Sequence, residues 1–116
     1  MKNSINPHYN PEELNLEQLT FEAGYCYEFD TLCFWATETG QIYSAQDSGC
    51  SCPTPFENYE EIDQKSVLQL LERVGSLEQA ENIFDEWNVT YDGSSKKLND
   101  VEKHNLTFWI KEHLKY

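Results

Sequence analysis

Apolar and aromatic positions alternate from Leu19 to Ala36, the two-residue period of a β-strand. Tyr25, Tyr27, Phe29, Thr31, Cys33 and Trp35 fall on one face, and Cys26, Glu28, Asp30, Leu32, Phe34 and Ala36 on the other. The first face is aromatic and is expected to be buried. The second is acidic at one end and apolar at the other, so the sheet is expected to be half covered there. Gly24 marks a bend or bulge before a strand near 25–36. Thr37-Glu-Thr-Gly40 reads as a turn, and Gln41–Gln46 as the returning strand.

The period changes in the second half. Val67, Leu68, Leu70, Leu71 and Val74 form a one-sided stripe that predicts a helix over 64–74, with Asp63 as its N-cap and Gly75 as its terminating residue. Ser76 with Gln79 is a capping-box signature, and Leu77, Ala80, Ile83, Phe84 and Trp87 share a face of a helix over 77–88. Tyr91–Ser95 reads as a loop. Leu106, Trp109, Ile110 and His113 sit at helical spacing in 100–114. Leu106–Ile110 also has strand propensity, but the Lys- and His-rich end favours a helix. Residues 1–18 hold two prolines and four asparagines and read as an irregular N-terminal arm, with one helical turn beginning at Pro11. The expectation is an arm followed by a single α+β domain over 19–116. That domain would be an antiparallel β-hairpin or three-stranded meander covered by two or three C-terminal helices.

Charge narrows the partner. The net charge is −13, and residues 1–60 carry ten acidic side chains against one basic, giving −9. Direct contact with DNA or RNA is not expected, because phosphates call for Lys and Arg. An anionic membrane surface would repel the chain, and no apolar run is long enough to span a bilayer. No apolar leader segment stands at the N-terminus, so a cytoplasmic protein with reduced cysteines is expected. Aromatic residues make up 14% of the chain, which argues against a disordered acidic tail.

Asp47-Ser-Gly-Cys-Ser-Cys-Pro-Thr-Pro-Phe-Glu57 concentrates two of the four cysteines, one residue apart, in a Gly- and Pro-containing stretch. Structural zinc is not expected. Six residues separate Cys26 from Cys33, sixteen separate Cys33 from Cys50, and one separates Cys50 from Cys52; paired ligands normally stand about two to four residues apart. Cys26 and Cys33 also fall on opposite strand faces, so they read as small buried hydrophobes. Catalysis by Cys50 would need a base within reach, and nothing brings His8, His104 or His113 there. No cofactor motif is present. Asp47 reads as a turn residue accepting backbone N–H bonds, and Gly49, Cys50, Cys52, Pro53, Pro55 and Phe56 as a structural loop, with Phe56 plugging the core.

This stretch, after an aromatic strand pair, resembles a small family encoded by tailed bacteriophages that carries Asp-Ser-Gly-Cys-Ser-Cys-Pro-x-Pro-Phe-Glu. The resemblance covers roughly Tyr25–Tyr59 and implies an origin and a hairpin, not a reaction. Combined with the acidity, it suggests a non-enzymatic accessory protein acting in the cytoplasm of a bacterial host. Such a protein would bind and inhibit a host protein with a basic, nucleic-acid-handling surface, a defence nuclease or an immune effector such as a CRISPR effector. Glu28, Asp30, Glu38, Asp47 and Glu57 are the candidate contacts. Glu28 and Asp30 would stand about 7 Å apart on one strand face, comparable with successive phosphates. The alternative is a small enzyme or nucleotide-sequestering protein using the Asp47–Cys52 loop.

Overall fold

A computed structural model describes residues 4–23, 28–50, 54–89 and 100–115. Four antiparallel strands form one sheet in the order β1 (Glu17–Glu22), β2 (Glu28–Ala36), β3 (Ile42–Cys50) and β4 (Glu72–Val74). The helices are α1 (Gln64–Leu68), α2 (Leu77–Val89) and α3 (Asp100–His113), and single 3₁₀ turns lie at Pro11–Leu14 and Glu57–Tyr59. The fold is α+β, as the periodicities predict.

The run read as one strand-like segment is two strands. β1 pairs with β2 from Glu17 opposite Ala36 to Glu22 opposite Thr31. Gly24, Tyr25, Cys26 and Tyr27, expected as bend and strand, lie outside the described residues. The β2–β3 hairpin closes as predicted at Thr37–Gly40. The Thr37 hydroxyl accepts from the Gln41 amide at 3.1 Å, and Gly40 takes φ +85°, a conformation glycine adopts without steric cost. The carbonyl of Gly40 then accepts from the Lys115 amide at 2.9 Å, which pins the end of the described chain to the turn.

Both faces of β2 are covered, where only one was expected to be fully buried. Thr31, Leu32, Cys33, Phe34, Trp35 and Ala36 are all buried. Leu32, Phe34 and Ala36 pack with Phe21, Ile42, Val74, Phe84, Leu106 and Ile110 under α2 and α3. Cys33 and Trp35 pack on the opposite face with Leu14, Leu16, Phe56, Val67 and Leu71. Residues 4–16 thus form much of one lid, although they contain only a 3₁₀ turn. Pro7 accepts a hydrogen bond from the Trp35 indole at 2.9 Å. Pro11 begins the turn, as predicted.

The predicted helix over 64–74 is corrected. Asp63 caps it as expected, accepting from the Ser66 amide at 2.9 Å, but the helix ends at Leu68. Leu70 and Leu71 bond back three residues, to Val67 and Leu68, and the chain then enters β4. Val74 pairs with Ile42. The reason is tertiary: the apolar stripe serves two cores. Val67 and Leu71 face the arm-side core, Val74 reaches the helix-side core, and Leu70 is exposed. Gly75 does not terminate a helix; its amide donates to the Gln79 side chain at 2.8 Å. Gln79 and Ser76 begin α2 as predicted, with the Ser76 hydroxyl accepting from the Gln79 amide at 3.1 Å. Leu106–Ile110 is helical, with Leu106 and Ile110 buried. The loop expected over 91–95 lies outside the described residues.

Candidate functional site

The Asp47–Glu57 stretch is built from strand and tie rather than from loop alone. β3 runs on to Cys50, so Asp47, Ser48, Gly49 and Cys50 pair with Thr31, Asp30, Phe29 and Glu28. The turn expected from Asp47 onward is displaced by this pairing. One oxygen of Asp47 accepts from the Ser48 amide at 3.1 Å and the other from the Phe56 amide at 2.7 Å. The second bond closes the chain back on its own strand. Phe56 sits at φ +62°, a left-handed conformation that strains a residue with a Cβ, and the Asp47 carboxylate and ring burial hold it there. Its ring is fully buried, edge-on to Trp35 at 5.7 Å and beside His8 and Tyr59 at 5.2 and 5.5 Å. The Pro55 carbonyl accepts from the Asn6 amide group at 2.9 Å. Cys52 and Pro53 lie outside the described residues. Burial and the nearby Asp47 charge push the Tyr59 hydroxyl up from its usual range.

A cysteine and a histidine meet nearby, a pairing that serves nucleophilic chemistry in other settings. Cys33 Sγ lies 3.5 Å from His8 Nδ1. Gln18 decides what that contact can do. Its Nε2 donates to the His8 carbonyl at 3.0 Å, which turns its Oε1 toward His8 Nδ1 at 3.2 Å. An acceptor at that position requires Nδ1 to carry a proton, so it cannot take one from the thiol. Cys33 is fully buried, and burial, with a smaller push from the Glu22 charge, raises its thiol to about 12. The pair is packing. Among the described residues no group of three or more His, Cys, Asp or Glu side chains gathers to hold a metal ion.

The five predicted acidic residues separate into two roles. Asp30 Oδ1 accepts from the Trp87 indole and from the Gln46 amide group, both at 2.9 Å, so it fastens α2 to the sheet. Asp47 fastens the Phe56 segment. Glu28, Glu38 and Glu57 are exposed and form no ion pair with the described residues. Glu28 and Asp47 stand toward the same end of the sheet, and Glu57 directly follows Phe56, which Asp47 holds. Glu38 is on the turn at the other end, beyond the eight steps from Glu28 to Ala36, or about 27 Å of strand. The five therefore do not form one patch.

Sequence reasoning missed a cleft of about 390 Å³ beside the hairpin turn, lined by Glu17, Glu38, Gly40, Glu112, His113 and Lys115 among others. His113 Nδ1 donates to the Trp109 carbonyl at 2.8 Å, its ring stacks on Trp109 at 4.4 Å, and its Nε2 stands 3.3 Å from Glu17. No local pattern signals a contact between residues 17 and 113.

A family model described as a domain of unknown function (DUF7574) matches residues 5–108. The chain belongs to that family. No curated protein and no solved structure matches it. The family domain takes in the packed segment from Ile5, all four strands and α3 as far as Phe108, so material from both lids of the sheet lies within it. No helix among the described residues is long and apolar enough to cross a membrane.

Proposed function

We propose that this protein is a small acidic accessory protein of phage type that binds a bacterial host protein and occludes a basic, nucleic-acid-handling surface. The observation that carries this reading is the set of solvent-facing carboxylates without cationic partners among the described residues. Glu28, Glu38 and Glu57 are exposed on a chain of net charge −13. Between described residues, Lys103–Asp85 is the Lys-to-carboxylate ion pair. Carboxylates that are not neutralised within the fold project a field that attracts Lys and Arg, raising the association rate and competing with phosphates for them. Asp30 and Asp47 are internal acceptors, so the contact falls to the remaining three. The same use of both Asp47 oxygens weighs against the alternative, a ligand held by the Asp47–Cys52 loop.

The test begins with cross-linking in the host cell and mass spectrometry to name the partner. Stopped-flow association with that partner should then slow steeply as salt shortens the Debye length from about 10 Å at 0.1 M to about 3 Å at 1 M. Reversal of Glu28 and Glu57 to Lys should slow association roughly tenfold at low salt. Reversal of Glu38, at the far end of the sheet, reports which end makes contact. Rates unchanged in all three variants would remove the reading.

A further inference from the structure

We propose that the outer edge of β1 is a strand-docking site for an extended, cation-flanked segment of a partner protein. This rests on the basic-partner reading above and names the kind of segment it would take. The Ala23 amide donates to the Asp30 carbonyl at 2.9 Å, which makes that pair a hydrogen-bonded one. Alternation along the same register gives Phe21–Leu32, Leu19–Phe34 and Glu17–Ala36 the inward bonds. The backbone N–H and C=O groups of Gln18, Thr20 and Glu22 therefore point away from β2. Among the described residues, none of the hydrogen bonds reaches them.

The two edges of the sheet are treated differently. β4 is three residues long, and the Gln79 amide group donates to the Arg73 carbonyl at 3.0 Å, capping that edge. β1 is six residues long and carries no such cap among the described residues. An edge of unpaired backbone groups is a template for another strand.

Charge selects the occupant. Glu17 and Glu22 stand exposed at the two ends of β1, five positions apart and on opposite faces, with half-buried Leu19 between them. A docked strand complements them with Lys or Arg near each end and an apolar side chain toward Leu19. A second copy is disfavoured. Its most complete antiparallel register, centred on Thr20, gathers Glu17 and Glu22 of both molecules around one ladder and joins two chains of charge −13.

The probe is a synthetic peptide of alternating Val and Thr with Lys five positions apart, titrated into the full chain. Nuclear magnetic resonance would follow amide exchange at Gln18, Thr20 and Glu22. Binding should slow exchange at these three amides. Glu22→Lys should weaken it roughly tenfold. Thr20→Pro, which removes an outward N–H at an edge position, should abolish it while circular dichroism and thermal melting show a folded sheet. Should that variant unfold, Glu22→Lys still decides. Probe binding without protection of these amides, protection that grows with protein concentration alone, or binding indifferent to Glu22→Lys would each overturn the proposal. If the probe fails to bind while a basic partner still associates in a salt-sensitive manner, the edge is excluded and the charge reading survives. If the probe binds at the edge while no basic partner shows that sensitivity, the edge stands and the charge reading falls.

Discussion

At the scale of single residues, the fold depends on a few side chains committed far from their neighbours in sequence. Phe56 is the clearest. Truncation to Ala should cost about 3–5 kcal/mol, because it would open a cavity between Trp35, His8 and Tyr59; chemical denaturation would show it as a lower midpoint with an unchanged slope. Cys33 gives a pH signature. Its folded thiol lies at about 12 against an ordinary 9.0, so folding favours the protonated form. That contribution is complete below about pH 9 and is lost as pH rises toward 12. Cys33→Ala should flatten this alkaline loss, and the native thiol should resist alkylation at neutral pH. Burial of Phe56 could be read from an aromatic after two prolines. The commitment of Asp30 to Trp87, across 57 residues, could not, since an acidic residue on a strand carries no mark of its distant donor.

At the scale of elements, local rules located starts and turns better than ends. Asp63, Ser76 with Gln79, and Thr37–Gly40 act where their chemistry places them, because each bonds within four residues. The segment 64–74 departs from the expected single helix because Val67, Leu71 and Val74 satisfy helical spacing while belonging to opposite sides of a sheet. The pairing of β4 with Ile42–Ser44 is invisible in the segment itself. The hairpin turn offers a quantitative check. A Cβ on Gly40 would lie 2.5 Å from Lys115 Cβ, on top of the strain at φ +85°. Gly40→Ala should destabilise by about 1–2 kcal/mol from the backbone alone, and by more with the contact. Adding Lys115→Gly should recover only the contact's share, a coupling that a double-mutant cycle of melting curves would measure.

At the scale of the whole molecule, charge and layering set the behaviour. A chain at −13 repels itself, so its melting temperature should rise as salt increases from about 0.01 to about 0.1 M, where the Debye length falls from roughly 30 to 10 Å. A flat response would mean that the carboxylates are already too widely spaced to interact. The three-layer arrangement was only half legible: the amphipathic helices announced one cover, whereas residues 4–16, polar and Pro-interrupted, gave no periodic sign of the other. That arrangement also orders events during synthesis. A ribosome delivers the chain from its N-terminal side, so Leu14, Leu16, Trp35, Phe56 and Val67 are all available before α2 and α3 exist. One side of the nascent sheet can close early, while Phe21, Phe34 and Ile42 stay bare until Phe84, Leu106 and Ile110 follow. A nascent chain that has emerged past Val67 but not yet through α2 would therefore hold out a half-clad sheet with its most adhesive aromatic surface to solvent, and that interval is when a chaperone would have most to grip.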